Sequence, residues 1–440
     1  MFEKTGQTHP ILVLLLIIFF SSMTACSFNE GTDELVSQKE NTPNILLIVA
    51  DDLGYSDLGV YGGEIATPTL DTLANQGVKF SNFYSAPICS FTRSMLLSGV
   101  DNHLSGLGGF DSEGVGLGSV QVGYEGYLNF RVASIAELLQ DAGYHTIMTG
   151  KWHLGLEDDQ VPHSRGFEQT YIMPRGTSSH YSNLAASSKI PTTIYLENGK
   201  ETILPEDFYS TKTYTDKMLE YLNNIEDDKP FFAFASYTAP HWPLQAPDNF
   251  IEKYEGRYDG GYDEIMHERL QKMLKLGLIS KIPEDFPRSP MAANWGDLSD
   301  IQKQKEAKNM AVYAAMVEAM DFNINRIVEN LRSSGKLENT IIIFMSDNGA
   351  DGNDPYHIED NVSWIPETFT TDTESLGKPG SFTAYGPGWA SVSSAPYKLH
   401  KAFSSEGGIK VPAFVVWPTE IGEKPAFDNS FMTILDIVPT

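Results

Sequence analysis

The feature that most restricts the fold of this chain is a set of continuous apolar runs that are too short to be typical helices. Ile45–Ala50 is apolar throughout, and Pro230–Ser236, Thr340–Ser346 and Val411–Trp417 are similar. Runs of this length are typical of strands that are buried on both faces, as the strands of parallel sheets are. The sequence therefore indicates several strands that need cover on both sides.

Segments with helical character separate these runs. Helices are expected at Thr67–Gly77, Val132–Ala142, Asp248–Leu278 and Asp297–Ser334, with one further strand at Tyr144–Thr149. Strands that alternate with helices usually form a mostly parallel sheet with helices packed on both of its faces. The predicted fold class is therefore α/β, with a mostly parallel central sheet sandwiched between helices.

The N-terminus indicates export. The apolar run Ile11–Phe20 is too short to span a bilayer as a stable helix. The following Met23–Cys26 resembles a bacterial lipoprotein box, and an ordinary cleaved signal peptide is the alternative. We expect a signal peptide of lipoprotein type over 1–26 and a flexible tether over 27–43. The protein would be periplasmic or anchored to the outer membrane, and it would meet the membrane only through a lipid on Cys26.

Charge and cysteine content restrict the chemistry. The net charge is −27, which argues against nucleic acid as a partner because phosphate backbones require Lys and Arg. The chain has two cysteines, Cys26 and Cys89. If Cys26 lies in the signal region, Cys89 is a lone thiol in an exported protein, where thiols are usually paired or avoided. Cys89 is then either a buried small hydrophobic residue or a chemically active one.

Acidic and amide side chains follow two of the predicted strands. Asp51 and Asp52 come directly after the first strand, and Asp347 and Asn348 come directly after Thr340–Ser346. The carboxyl ends of parallel strands form the edge where such sheets bind ligands. Either pair alone would more often be a turn or a helix cap. Together, their hard oxygen atoms favour one Ca²⁺ ion, with Mg²⁺ as the alternative, over zinc.

Basic residues lie at the same predicted edge. Lys151 and His153 follow one strand, His241 follows another, and Lys401 precedes the last predicted strand. Each of them alone would more often be a structural or solvated residue. Their shared position beside the acidic residues is what indicates a functional site.

Cys89 and Arg93 form a Cys-x-x-x-Arg segment. If a helix begins near Cys89, Arg93 lies one turn further along on the same face. A nucleophile at a helix N-terminus gains from the helix dipole, and a guanidinium group can bind an oxyanion. A buried cysteine with an outward-facing arginine is the alternative.

These segments together resemble the type I sulfatases of the alkaline-phosphatase-like superfamily, especially the bacterial arylsulfatases of the Pseudomonas type. The matching passages, in chain order, are Asn44–Gly54, Gly150–Gly155, Ala239–Pro247, Phe344–Ala350 and Ser405–Pro412. The resemblance runs from about Asn44 to the end of the chain. It implies the sulfatase fold and a catalytic domain over 44–440. Because the last residues, Met432–Thr440, look like the start of a helix, we expect this domain to be truncated, without the family's small C-terminal subdomain.

The resemblance also implies a reaction. A sulfate monoester of an aryl alcohol or a carbohydrate would be hydrolysed to the alcohol and inorganic sulfate. A formylglycine-generating enzyme would convert Cys89 to formylglycine, whose hydrated diol is the nucleophile on Ca²⁺. Asp347 could also deprotonate the diol. The residues that would hold the ion with residue 89 are Asp51, Asp52, Asp347 and Asn348.

The family's basic residues map onto the remaining candidates. Arg93 and Lys151 would orient the diol and neutralise the sulfate. His241 and Lys401 would protonate or stabilise the leaving oxygen. His153 would accept the proton of the second hydroxyl, which expels sulfate and restores the aldehyde.

One residue departs from the family pattern, and two other functions stay open. The maturation signal usually reads Cys-x-Pro-x-Arg or Cys-x-Ala-x-Arg, whereas Phe91 is the third residue here. A phosphodiesterase or phosphonate hydrolase of the same superfamily would share the acidic residues at the strand ends. A surface lipoprotein that binds sulfated glycans through a degenerate site is the non-enzymatic alternative.

We predict that residue 89 is an aldehyde in protein made in its native host, which requires the converting enzyme to accept Phe91. Mass spectrometry of the tryptic peptide Phe80–Arg93 measures this directly. An intact thiol in all of the protein would remove the expected nucleophile and favour the degenerate binder or a non-sulfatase function.

Overall fold

The computed structural model describes residues 42–109, 121–285, 288–357, 361–421 and 427–440. The expected signal peptide, Cys26 and nearly all of the expected tether lie outside these ranges. Within the ranges, no helix combines the length and the apolar character that crossing a bilayer requires.

The strands and α-helices alternate along much of the chain. The strands are β1 (Asn44–Ala50), β2 (Val78–Phe80), β3 (Phe83–Tyr84), β4 (His145–Lys151), β5 (Gln169–Met173), β6 (Leu184–Ser187), β7 (Ile190–Thr192), β8 (Leu196–Glu197), β9 (Lys200–Glu201), β10 (Phe231–Ser236), β11 (Thr340–Ser346), β12 (Ala413–Val416), β13 (Phe427–Asp428) and β14 (Met432–Thr433). The helices are α1 (Pro68–Asn75), α2 (Cys89–Ser98), α3 (Asn102–Ser105), α4 (Ile135–Asp141), α5 (Ser210–Asn223), α6 (Asp248–Ile251), α7 (Tyr262–Leu276), α8 (Asp300–Ser333), α9 (Asn361–Thr368), α10 (Gly386–Ser393) and α11 (Glu406–Ile409).

Ten of the described strands form one mixed sheet in the order β13-β2-β12-β11-β1-β10-β4-β5-β8-β9. The central strands β11, β1, β10, β4 and β5 are parallel to one another. The strands β12 and β8, which flank this central group, pair antiparallel with it. The predicted α/β class with a mostly parallel central sheet is therefore confirmed.

The register of the central strands brings their carboxyl ends level at one edge of the sheet. Ala50 of β1 is paired with Ser346 of β11, and Ser236 of β10 is paired with both Val49 of β1 and Gly150 of β4. Polar residues that follow these strands consequently lie close together at this edge of the sheet.

Side chains of β1 alternate between two hydrophobic layers, as the twofold repeat of a strand requires. Leu46 and Ile48 pack in the layer that contains α8, whereas Leu47 and Val49 pack in the layer that contains Leu96 of α2. The long helix α8 begins at a capping box in which the Ser299 hydroxyl accepts from the backbone of residue 302. Helices thus cover both faces of the sheet, which is why its central strands read as continuous apolar runs.

The sequence-based prediction for the C-terminal residues is wrong. Met432–Thr440 was expected to start a helix, but Met432 and Thr433 form β14, which pairs with β3. A 3₁₀ helix, Ile434–Asp436, follows it. The pairing partner is distant in sequence, so the local pattern does not reveal it. The strand at Val411–Trp417 is also not the last one, because β13 and β14 follow β12.

A buried ion-pair network fixes the loop that follows β1. Arg269 of α7 donates to Asp57 at 2.6 Å and to Glu64 at 2.6 and 2.8 Å. Asp57 also accepts from the backbone of Gly54 at 2.8 Å and from the hydroxyl of Tyr313 in α8 at 2.6 Å. The loop directly after Asp51 and Asp52 is therefore tied to two helices.

We predict that Arg269→Ala lowers the free energy of unfolding by about 3–5 kcal/mol, because it leaves two buried carboxylates without their partner. Urea denaturation measures the change. The matched control is Arg288→Ala, whose side chain is 41% exposed and pairs with Asp263; we expect it to cost at most about 1 kcal/mol. Similar losses for both variants would contradict the structural role given to Arg269.

Candidate functional site

The carboxyl ends of the parallel strands place the predicted acidic residues in one buried cluster. Asp51, Asp52, Asp347 and Asn348 are each at most 1% exposed. The backbone NH of Asp52 donates to a carboxylate oxygen of Asp347 at 3.3 Å, and the Asn348 amide donates to Asp52 at 2.6 Å. The structure thus brings together the four residues that the sequence singled out as metal ligands.

Each of three buried basic residues pairs with a different acid of this cluster. Lys151 donates to Asp51 at 2.7 Å, and Lys401 lies 2.8 and 2.9 Å from the two oxygens of Asp52. Arg93 donates through Nε to Asp347 at 2.8 Å, and its Nη2 also lies 2.8 Å from the same carboxylate oxygen. Lys151 is the last residue of β4 rather than the residue after the strand that the sequence predicted.

Burial and neighbouring charges shift the pKa values of the carboxyl groups in different directions. Burial alone would raise the pKa of Asp51, but Lys151 and Arg93 outweigh it and hold that pKa below its usual value. Burial raises the pKa of Asp52 well above its usual value, and the charge of Lys401 only partly opposes this. Burial, followed by the charge of Asp51, also raises the pKa of Asp347. A cation bound among these carboxyl groups would lower the cost of burying their negative charges together.

Cys89 is the first residue of α2, which confirms that a helix begins there. Its sulfur lies 3.9 Å from a carboxylate oxygen of Asp52, and its side chain is buried. Burial raises the pKa of the Cys89 thiol well above its usual value, although the charge of Lys151 opposes this. An unmodified Cys89 is therefore a thiol rather than a thiolate at neutral pH, which makes it a weak nucleophile.

Two histidines stand at the ends of neighbouring strands. His241 places Nε2 3.4 Å from Asp52, and its Nδ1 lies 2.6 Å from the Trp242 carbonyl oxygen. Burial, helped by the charge of Lys401, lowers the pKa of His241 well below its usual value, so its ring is neutral at pH 7. His153 is half-buried, and its ring fits against Gly176, where an added Cβ would lie only 2.7 Å from the ring.

The cluster has the donor set of a metal site. One ligand atom each from Asp51, Asp52, Cys89 and His241 lies within 4.8 Å of the others. One oxygen of Asp51 and the amide oxygen of Asn348 are buried without a hydrogen-bond partner. Buried oxygens are almost always paired, so two orphans facing one cluster fit a bound cation. A metal ion therefore suits the residues present.

Two residues at the site were not predicted from the sequence. Asp351 lies 3.2 Å from the Lys401 ammonium group and is buried. Ser236, at the end of β10, accepts from Arg93 at 2.5 Å and donates to the Lys151 carbonyl at 2.6 Å. Asp351 follows the same strand as Asp347, so its position at the strand end was the available signal.

The loops of the site contain strained backbone. Among the described residues, five non-glycine residues have φ in the left-handed range, and four of them are Asp52, His153, Leu399 and Ala402, which flank the site. Such conformations persist where surrounding contacts enforce them. Two backbone hydrogen bonds hold the chain at Lys401. The NH of Lys401 donates to the Ala350 carbonyl and the NH of Ala402 donates to the Pro87 carbonyl, both at 2.9 Å.

Comparison with known proteins gives consistent matches. The family model described as Sulfatase matches residues 43–440. An uncharacterized sulfatase of Schizosaccharomyces pombe is 42% identical over 414 residues, covering 90% of this chain and 74% of that protein. An arylsulfatase of Klebsiella aerogenes is 37% identical over 411 residues, covering 91% and 86%. The crystal structure of Ps i-CgsB in complex with k-i-k-neocarrahexaose aligns with a TM-score of 0.62 at 25% identity, covering 90% of this chain and 70% of that one.

The stability of the protein should depend on pH through His180, a buried histidine next to His241. His180 bonds through Nε2 to the His241 carbonyl oxygen at 3.0 Å and through Nδ1 to Ser210 at 2.6 Å. Burial lowers the pKa of His180 to about 4. The unfolded chain takes up this proton near pH 6.5, before the folded protein does, so acid favours unfolding.

We therefore predict that this histidine's contribution is complete above pH 6.5 and that about 3 kcal/mol of stability is lost as the pH falls to 4. Denaturant unfolding across this range measures it. His180→Asn lowers stability at pH 7.5 but flattens the dependence below pH 6.5. An unchanged slope in the variant would assign the acid sensitivity to other groups.

Proposed function

Because the chain belongs to the sulfatase family and is a sulfuric ester hydrolase, we propose that it cleaves sulfate monoesters with a nucleophile made from Cys89 beside one Ca²⁺ ion. The observation that carries the proposal is the position of Cys89. Its sulfur lies within the buried cluster of potential metal ligands, one helical turn from Arg93.

Calcium suits the ligands better than a softer metal. The proposed ligands Asp51, Asp52, Asp347 and Asn348 offer carboxylate and amide oxygens, and two of these oxygens are unpaired in the cluster. Hard oxygen ligands are the set that Ca²⁺ prefers, and Mg²⁺ is the alternative. When bound, the ion would lower the pKa of the attacking hydroxyl and offset charge on the sulfate.

The formylglycine derived from Cys89 would supply the nucleophilic hydroxyl and a route by which the sulfated residue releases its product. Arg93 and Lys151 lie beside it, held by Asp347 and Asp51. Because both basic residues are buried and fixed by acids, they need little rearrangement to neutralise an incoming sulfate. Arg93 is further fixed by Ser236.

His241 and Lys401 both lie close to the same oxygen of Asp52, at 3.4 and 2.9 Å, and are proposed to serve the leaving oxygen. The ammonium group of Lys401 can donate a hydrogen bond to that oxygen as negative charge develops on it. The hydrogen bond that His241 Nδ1 donates to a backbone carbonyl fixes the ring and leaves Nε2 facing the cluster. Because that ring is neutral in the free protein, His241 would have to bind a proton at Nε2 before it could donate to the leaving oxygen. His153, after β4, is proposed to accept the proton whose removal expels sulfate.

The charges of the site favour a singly charged substrate group. Asp51, Asp52, Asp347 and Asp351 oppose the three basic residues Arg93, Lys151 and Lys401, all of them buried. With a divalent ion bound and all four carboxyl groups ionised, the group carries one excess positive charge. A sulfate monoester carries one negative charge, whereas a phosphate monoester carries close to two at neutral pH. The balance therefore supports sulfate esters over phosphate monoesters, whereas phosphodiesters and phosphonate monoesters, which also carry one negative charge, are separated by the rate comparison below.

The alcohol part of the substrate is proposed to be an aryl group or a carbohydrate. The arylsulfatase of Klebsiella aerogenes supports the first, and the solved structure bound to k-i-k-neocarrahexaose supports the second. Export as a lipoprotein anchored at Cys26 and maturation by a formylglycine-generating enzyme complete the proposal. Export would place the enzyme where sulfated glycans arrive from outside the cell.

We predict that protein from its native host hydrolyses 4-nitrophenyl sulfate at least about 100-fold faster than 4-nitrophenyl phosphate. Cys89→Ala removes the nucleophile and should abolish turnover. Chelation with EDTA should do the same, and added Ca²⁺ should restore it. Faster phosphate or phosphonate ester hydrolysis would instead favour the related hydrolases of the superfamily.

Calcium binding is checked separately by thermal melting, so that it does not depend on turnover. Ca²⁺ at 100 times its Kd should add about 2.7 kcal/mol to the stability of the wild-type protein. Asp51→Asn should largely lose this increment, and the matched control Asp354→Asn should keep it. Binding of sulfated glycans without turnover, together with an intact Cys89 thiol, would support the degenerate binder.

A further inference from the structure

We propose that Asp351 is a positioning residue that holds Lys401 and His241 together at the leaving oxygen. The inference rests on the proposed function, since it assigns a role within the same reaction. It concerns a carboxylate outside the set of proposed metal ligands and outside the sequence-based candidates.

Asp351 is itself rigidly held. It is 3% exposed, and one oxygen accepts from the backbone NH of Asn353 at 2.8 Å and from the Asn353 side chain at 2.6 Å. The other oxygen accepts from the Trp242 indole NH at 2.8 Å and from Lys401 at 3.2 Å. Four hydrogen bonds on one buried carboxylate leave it little freedom, so it can define where its partners lie.

The first partner, Lys401, stands between two carboxylates. Its ammonium group lies 2.8 Å from Asp52 and 3.2 Å from Asp351. Asp52 is a proposed ligand of the ion, and a bound cation would draw on its negative charge. Asp351 would then be the stronger attraction for Lys401. It keeps the ammonium group away from full pairing with Asp52 and available to the leaving oxygen.

The second partner of Asp351 is Trp242, which directly follows His241 in the chain. The Trp242 carbonyl oxygen accepts hydrogen bonds from His241 Nδ1 at 2.6 Å and from Thr177 at 2.8 Å. The two rings are in contact, with centroids 4.7 Å apart. Fixing the indole through Asp351 therefore fixes the peptide that orients the His241 ring. One carboxylate thereby sets the positions of both groups on the leaving side.

The simpler alternative is that Asp351 only satisfies the buried indole NH of Trp242. That role is structural, and its loss would slow all substrates alike. A positioning role predicts a different pattern. The leaving oxygen is more basic when the pKa of the alcohol is higher, so poor leaving groups depend most on correctly placed donors.

The test is Asp351→Asn, which keeps the shape of the side chain and removes its charge. kcat/KM is measured for a series of aryl sulfates whose phenols span a wide range of pKa. We expect a fall of less than about tenfold for the best leaving groups and of about 100-fold or more for the poorest, as is typical for a misplaced catalytic group. An equal fall across the series would overturn the proposal.

Three further variants separate the contributions. Trp242→Phe removes only the indole donor, so it should show a weaker form of the same leaving-group dependence. Asp351→Glu, which restores the charge, should recover part of the rate on poor leaving groups. The matched control Asp354→Asn, a half-buried residue in the same loop, should leave the series unchanged. Wild-type-like kinetics in Trp242→Phe would remove the link to His241.

A crystal structure of Asp351→Asn gives a readout that does not need turnover. We expect the Lys401 ammonium group to move toward Asp52 and the Trp242 indole to lose its acceptor. Unmoved Lys401 and His241 side chains would overturn the inference even if the variant were slow. If the wild-type protein hydrolyses no sulfate ester, the proposed function fails, while this structure still decides whether Asp351 positions the two residues. If Asp351→Asn does not fold, Trp242→Phe and Asp351→Glu are crystallised instead.

Discussion

The structure depends on the burial of like charges at one edge of a sheet. Oxygens of Asp51 and Asp52 lie within 4.8 Å of each other, with Asp347 and Asp351 nearby. At an effective dielectric constant of 20, one such contact between two charges costs roughly 3 kcal/mol. Three buried basic residues offset much of this repulsion, but acids outnumber bases. A further cation would offset the remaining negative charge. Burial, followed by the charges of Asp351, Asp51 and Asp347, raises the pKa of Asp52 well above its usual value when no cation is bound.

The rest of the fold serves to hold these charges in place. Parallel strands in register bring the acids level, and the network around Arg269 fixes the loop after Asp52. The left-handed residues at Asp52, His153 and Ala402 turn the chain sharply where each polar side chain must enter the site. A rigid sheet can carry this strain because its core is packed on both faces. Packing of the two hydrophobic layers thus offsets the cost of the strained backbone that positions the site residues at the edge of the sheet.

The sequence predicted the central strands and the polar residues at their ends better than it predicted the periphery of the fold. The central strands were visible because burial on both faces produces unbroken apolar runs, and the acids at their ends followed directly. Short strands such as β8, β9 and β14 have only two residues each, and their pairing partners are set by tertiary contacts. Asp351 was missed for a related reason. Its role comes from an indole and an ammonium group that lie 109 and 50 positions away.

The acidic surface and an anionic substrate are compatible because the two act over different distances. A net charge of −27 repels anions, but at physiological ionic strength this repulsion decays over about 8 Å. An anionic substrate requires local positive charge, yet the side chains of the site alone do not supply an excess of it. Four buried carboxylates exceed Arg93, Lys151 and Lys401 by one charge. In the proposed function the ion supplies the missing positive charge, and sulfate affinity would then depend on metal loading.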